Sequence, residues 1–379
     1  MTAAIPAPTR RGACPSLAVP MASGDGLLAR LALPEGLSPA ALAGLAAAAG
    51  RFGNGLVEVT ARGSVQVRGL RPETIPGFAA AVAALGLVPP QGPPVLTGPL
   101  AGIDPAEIAD PRPLAAALRA FGGALLPKVS VVVDGGGALH LDALPADLRL
   151  RATPEGWLVA AGGTAATARQ LGCHPAGEAV AAGLGVLSRL SAGRLRGRDL
   201  DLAGAPGLPV RAAASPVGRF ALRAGIGRGV ALAFGQAAAA LAALAEAAAG
   251  AAAFRPAPGR ALIAVGLSAA ADRRLLAAAE RLGFVTDPGD PRLAIAACAG
   301  APACGTALLP TRAIAARLAG RLALPAEAQL HLSGCPKRCA QPAGAAVTLV
   351  GTGDGPQVTG EGVTVAADLR ARLLEEAGA

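Results

Sequence analysis

A chain of 379 residues is long enough for two or three domains and for cores that stand without disulfide staples. Its 53% hydrophobic and 16% charged residues exclude an intrinsically disordered chain, and its most apolar stretch, 231–254, is interrupted by Gln236 and Glu246 and does not read as a membrane span. A net charge of +9 calls for an anionic partner, yet seven Phe and Trp157 leave no stacking platform for nucleic acid, and the arginines are scattered. The charge therefore fits a small anionic ligand or a compositional bias toward arginine. Arg10 and Arg11 are followed by no apolar run, so the expectation is a cytoplasmic protein.

Proline and glycine clusters at 89–99 and 204–209 divide the chain into four segments. The first, 14–86, carries an apolar stretch at 24–33, a predicted helix at 38–49 and a predicted hairpin at 55–70. In that hairpin Val57, Val59, Val65 and Val67 alternate with Glu58, Thr60, Gln66 and Arg68, the period of a strand with one polar face. The second segment, 90–205, mixes a predicted helix at 112–121 with an apolar strand at 129–133. The third, 210–270, repeats the order of the first: a strand at 227–234, an alanine-rich helix at 236–249 and a strand ending at 267. Internal duplication is the reading, with Gly259, Ile263 and Val265 standing where Arg62, Gln66 and Arg68 stand in the first copy. One copy then carries a site and the other is scaffold. The fourth segment, 275–379, has predicted strands at 293–297 and 345–350 and a helix at 311–323. No glycine-rich nucleotide-binding pattern follows any strand.

The strongest chemical signal is a set of four cysteines, Cys298 and Cys304 with five residues between them, then Cys335 and Cys339 with three between them. In a reducing compartment such pairs point to metal or redox use. The wide first gap suits tetrahedral zinc poorly and an iron–sulfur cluster well, because a cubane takes thiolates from spread-out loops. Small residues and proline around the thiols let backbone approach sulfide closely. A 4Fe-4S cluster is the leading reading; structural zinc and unrelated buried thiols are the alternatives. Cys14 and Cys173 stand apart and are expected to be buried small hydrophobes. His140, His174 and His331 are expected in solvated or core roles rather than as ligands. Lys337, between two of the four cysteines, either tunes a cluster or meets a ligand carboxylate, or is a solvated cation.

The pattern C-x5-C followed by G-C-x3-C, with the run TARGSVQVRG at 60–69, resembles the sulfite and nitrite reductase superfamily. The blocks RRGACPSL (10–17), GDGLLARL (24–31), FGNG (52–55) and SGCPKRCAQP (333–342) are most similar to its oxygen-dependent, tetrapyrrole-hydroxylating branch in aerobic cobalamin biosynthesis, nearly end to end. The resemblance implies an α+β, internally duplicated fold: ferredoxin-like half-domains at 14–86 and 210–270, and α/β cluster or haem-type domains at 90–205 and 275–379. It implies hydroxylation of precorrin-3A at C20 with closure of a γ-lactone, driven by dioxygen and an electron donor, either a reductase or an NAD(P)H-linked system. It also implies cluster ligation by Cys298, Cys304, Cys335 and Cys339, with sirohaem or a mononuclear iron as the accompanying centre. Arg62, Gln66, Arg68 and Lys128 match tetrapyrrole- or substrate-facing positions. Arginine forks hold carboxylates bidentately, as such a substrate needs. Ser130 stands where the reductases carry a second lysine, proline replaces their arginine within 93–102, and Gln341 stands where the branch often has histidine. A sirohaem sulfite or nitrite reductase, or a noncatalytic 4Fe-4S electron carrier, are the competing functions.

Overall fold

The computed structural model describes residues 15–88, 90–325, 328–342 and 344–378, so Cys14 lies outside the described residues. The first unit runs β1 (Met21–Ser23), β2 (Gly26–Leu31), α1 (Pro39–Phe52), β3 (Leu56–Val59), β4 (Val65–Leu70) and α2 (Ile75–Ala84). Helix α1 starts because the Ser38 hydroxyl accepts the Ala41 N–H and Pro39 presets the first turn. Leu42, Leu45, Ala46 and Ala49 then form one buried stripe. The predicted hairpin is present: β3 and β4 pair antiparallel with Glu58 opposite Gln66.

The second unit contains β5 (Val95–Thr97), α3 (Arg112–Arg119), β6 (Val131–Asp134), β7 (Leu148–Thr153), β8 (Gly156–Ala161), β9 (Arg169–His174) and α4 (Ala176–Gly193). The third contains β10 (Gly218–Ala221), β11 (Ile226–Ala231), β12 (Gln236–Ala237), α5 (Ala238–Ala247), β13 (Ala253–Ala257), β14 (Ala261–Leu267) and α6 (Ala269–Arg281). The fourth contains β15 (Ile295–Ala297), α7 (Thr311–Leu318), β16 (Gln329–Ser333), β17 (Ala346–Thr352), β18 (Gly355–Glu361) and α8 (Ala367–Gly378). The apolar stretch at 231–254 is thus split between strands and the ten-residue helix α5. Among the described residues no helix is long and apolar enough to cross a membrane.

The duplication is visible in the sheets. The order β1-β2-β4-β3 recurs as β10-β11-β14-β13, and β5-β6-β7-β8 recurs as β15-β16-β17-β18, each of the latter with three parallel strands and an antiparallel neighbour. The two antiparallel sheets share one core. Leu31, Leu42, Leu45 and Phe78 from the first copy lie in the same apolar cluster as Leu241, Leu244, Phe254 and Leu262 from the second. Leu37 and Phe254 exchange both backbone hydrogen bonds, and β12 adds itself to β3. Cys173, expected inside, is exposed on β9, an edge strand where alternate residues face solvent.

Burial raises the carboxyl of Glu107, in the loop between β5 and α3, to about 7, with the neighbouring charges of Asp110 and Asp104 adding to it against the Gly102 N–H that the carboxylate accepts. An unfolded glutamate ionises near 4.5, so between that pH and about 7 the folded state binds more protons and stability falls as pH rises. The variant Glu107→Gln stays neutral throughout. Its stability advantage over the wild type is expected to be absent at pH 4 and present at pH 8; thermal unfolding at both pH values checks this, and a pH-independent difference would refute it.

Candidate functional site

Corresponding hydrogen bonds align the two α/β units around their first loops. Asp104 N–H donates to Leu100, Glu107 to Asp104 and Ile108 to Gly135; likewise Cys304 donates to Gly300, Ala307 to Cys304 and Leu308 to Gly334. Asp104 therefore occupies the position of Cys304. Its carboxylate accepts the backbone N–H groups of Ala106 (2.9 Å) and Ala138 (2.7 Å), which closes this loop with internal bonds. Only the second α/β unit carries thiols here.

Those thiols gather from two loops. Cys298 and Cys304 sit between β15 and α7, and Cys335 and Cys339 follow β16. Cys335 is buried and Cys339 exposed. The Gly334 N–H donates to Cys298 Sγ at 3.2 Å, and Thr311 at the start of α7 donates its hydroxyl to the Cys298 carbonyl at 2.9 Å. Burial pushes the Cys339 thiol up; the neighbouring Cys298, Cys335 and Cys304 push the same way, and Arg68 opposes them. Cys298, Cys304, Cys335 and Arg68 thus each lie close enough to Cys339 to act on its thiol. Among the described residues no three His, Cys, Asp or Glu side chains close around a point that a single ion could occupy. An all-thiol donor set drawn from two loops, with a backbone N–H already aimed at sulfur, fits an iron–sulfur cluster.

The first antiparallel sheet turns a polar face to this region. Gln66 and Arg68, 7% and 9% exposed, alternate with Val65 and Val67, which point into the shared core. In the second copy the same positions, Ile263 and Val265, pack with Val217, Ala231, Leu100 and Leu139 in an apolar cluster. Pseudo-symmetry is broken at this face: one copy is filled with hydrocarbon, the other with polar and charged side chains.

Sequence reasoning missed how these charges are held. Arg68 Nε and one Nη bond both oxygens of Asp25 at 2.7 and 2.9 Å, and its other Nη reaches Glu58 at 3.3 Å. Glu58 also accepts Gln66 Nε2 at 2.7 Å and Arg312 Nη2, from the first turn of α7, at 2.6 Å; Arg30 donates to Gln66 Oε1 at 3.0 Å. Burial works against the Asp25 charge, but the hydrogen bonds and charge of Arg68 outweigh it and hold this carboxyl below its ordinary value. Asp25, Glu58 and Arg312 come from distant segments, Glu58 and Arg312 254 residues apart, and nothing local distinguishes them from solvated charges.

Arg62 lies apart from Gln66 and Arg68. It donates to Ser130 Oγ at 3.2 Å and to the Pro145 carbonyl at 3.1 Å, so it reaches into the first α/β unit. Lys128 is exposed two residues before Ser130, with left-handed backbone (φ 69°), and its carbonyl accepts from Arg196. Lys337 is exposed on the second cysteine loop, while its neighbour Arg338, also left-handed, turns away to Glu361 on β18. His331 is fully buried beside Thr348, and burial, then the Arg338 charge, lowers its pKa to about 4. His140 bonds the Ala212 carbonyl through Nε2.

The fold is that of the nitrite/sulfite reductase plan. The family of nitrite/sulfite reductase ferredoxin-like half-domains matches residues 19–85. The solved structure of the Mycobacterium tuberculosis NirA protein superposes on 88% of this chain and 73% of its own with a TM-score of 0.66 at 20% identity. A curated relative, precorrin-3B synthase from Sinorhizobium sp, is 41% identical over an alignment covering 91% of this chain and 82% of the relative. The chain belongs to the precorrin-3B synthase family, and with it to the oxidoreductases.

Proposed function

We propose that this chain carries out the reaction its family is named for: hydroxylation of precorrin-3A at C20 with γ-lactone closure, using dioxygen and electrons from a separate donor. The observation that carries the reading is 41% identity to a precorrin-3B synthase along nearly the whole chain. Cys298, Cys304, Cys335 and Cys339 hold a 4Fe-4S cluster, which when bound supplies single electrons near the substrate. The polar face of β4 supports the substrate half of the proposal. Gln66 and Arg68 present donors toward the peripheral carboxylates of the tetrapyrrole, with Arg62 and Lys128 at its first α/β edge. Arg68 is fixed by Asp25 in advance, so the carboxylate it binds is oriented without further ordering cost. Ser130, neutral, accepts from Arg62 where the reductases have a lysine, leaving this corner less suited to gripping a small oxyanion.

The test is anaerobic incubation of the iron-loaded protein with precorrin-3A and a chemical reductant, followed by exposure to labelled dioxygen. The expected product carries one labelled oxygen at C20 and a lactone. Unreacted precorrin-3A in the presence of a spectroscopically intact cluster would refute the proposal. Spectra of the same sample distinguish sirohaem, through an intense Soret-type band, from a mononuclear iron as the accompanying centre.

A further inference from the structure

The turn between β1 and β2 is wedged between the two halves of the site. Gly24 is pressed against the cysteine loop: a Cβ there would stand 2.2 Å from Cys304 Sγ and 2.7 Å from the Thr306 hydroxyl. The Gly305 N–H donates to the Gly24 carbonyl at 2.8 Å. On its other side Gly26, at φ 113°, is pressed against the end of β4, where a Cβ would meet the Leu70 carbonyl at 2.7 Å. Between these two forced glycines stands Asp25, its side chain 1% exposed, holding Arg68 through both oxygens and accepting from Ser23 Oγ and, at 3.3 Å, from Asn54 Nδ2. In the second copy Val265 stands in place of Arg68 and packs with Leu100 and Leu139 of the first α/β unit, so hydrocarbon replaces the ion pair there.

Resting on the reading of β4 as the tetrapyrrole-facing strand, we propose that Asp25 is the positioning residue that couples that strand to the cluster loop. It has no place for a substrate atom, being enclosed. What it does is keep the Arg68 guanidinium at one distance from the cysteines, so that a substrate carboxylate gathered by Arg68 and an electron arriving at the cluster act on each other through a fixed charge. Without Asp25 the guanidinium is free to follow the carboxylate, and the two events separate. Coupling of this kind is reciprocal: if the ligand alters the cluster's reduction, reduction alters the ligand's affinity by the same factor.

The experiment uses the cluster-loaded protein and uroporphyrin, an unreactive octacarboxylate tetrapyrrole, as probe. Its dissociation constant is measured with the cluster oxidised and reduced in the wild type, Asp25→Asn and Ser23→Ala, together with iron content. The wild type is expected to bind the probe at least about fivefold more weakly when reduced, since the added electron repels carboxylates. In Asp25→Asn that ratio is expected to fall below about twofold, with an intermediate value in Ser23→Ala, which loosens Asp25 without touching Arg68. A merely structural Asp25 would weaken binding equally in both redox states and leave the ratio standing. A wild-type ratio retained in Asp25→Asn overturns the proposal, as does a ratio of one in a wild type that binds the probe. Failure of the wild type to bind the probe at all overturns the tetrapyrrole reading and the coupling with it. If Asp25→Asn loses iron, Ser23→Ala decides: an unchanged ratio there is the contrary result.

Discussion

Replacing Cys335 by serine is expected to strip the protein of its iron and reduce turnover at least about a thousandfold, the scale at which loss of an essential centre is felt. Cys335 is the buried member of the four, 8% exposed, directly after the parallel strand β16. The Ser333 hydroxyl donates to its backbone carbonyl at 2.8 Å, so the loop is held by main-chain contacts that serine preserves. The substitution changes sulfur to oxygen and little else. A serine hydroxyl is a hard, weakly acidic donor and does not replace a thiolate on iron. Iron and sulfide are therefore expected to fall from about four of each per chain to well below one, with unfolding temperature nearly unchanged in the metal-free forms. Cys173→Ser, on the exposed edge strand β9, is the control and is expected to keep full iron. Metal analysis checks both. Retained iron in Cys335→Ser would remove this residue from the ligand set, and zinc in the wild type would overturn the cluster assignment.

The comparison of Cys335 with Cys173 shows where sequence reasoning reaches and where it stops. Spacing singled out the four cysteines, which the structure places on two loops near Cys339, and alternation exposed the hairpin of β3 and β4 because a strand with one polar face has a period of two. The same ungapped alignment that put Ile263 and Val265 opposite Gln66 and Arg68 also describes their burial in the second copy. Three things were out of reach. A lone cysteine carries no period, so the exposure of Cys173 on β9 could not be read. Asp104, standing where its copy has Cys304, is unrecognisable until the hydrogen bonds of the two loops are laid side by side. The acids Asp25 and Glu58 and the cation Arg312 are joined only by tertiary structure, and an ion pair between distant segments leaves no local trace.

Arg68→Met is expected to lower the unfolding free energy by roughly 3 to 5 kcal/mol, the cost of leaving one partner of a buried pair behind. The pair is enclosed on both sides, with side-chain exposures of 10% for Arg68 and 1% for Asp25. Methionine fills much of the arginine's volume, so the loss is electrostatic rather than a cavity. The pH dependence identifies the source. In the wild type the Asp25 carboxyl is held below its unfolded value of 3.8, so the stability it contributes is complete above about pH 4 and is lost as pH falls through the lower folded value. In Arg68→Met the cation is gone and burial, the largest influence on this carboxyl, outweighs the remaining hydrogen bond from Ser23, so the carboxyl is expected above its unfolded value. The deficit of the variant is then largest at neutral pH and shrinks toward pH 4, where Asp25 takes up a proton and needs no partner. Adding Asp25→Asn to Arg68→Met is expected to recover most of the lost stability, because the stranded charge is removed, while tetrapyrrole binding stays weakened, because the guanidinium of β4 that receives a carboxylate is gone. Denaturant unfolding across pH 4 to 8 and probe titration of the single and double variants separate the two effects. A deficit independent of pH would mean that packing, not the Asp25 charge, is what Arg68 supports; restored binding in the double variant would mean that the substrate's carboxylates are gripped elsewhere, by Arg62 or Arg312.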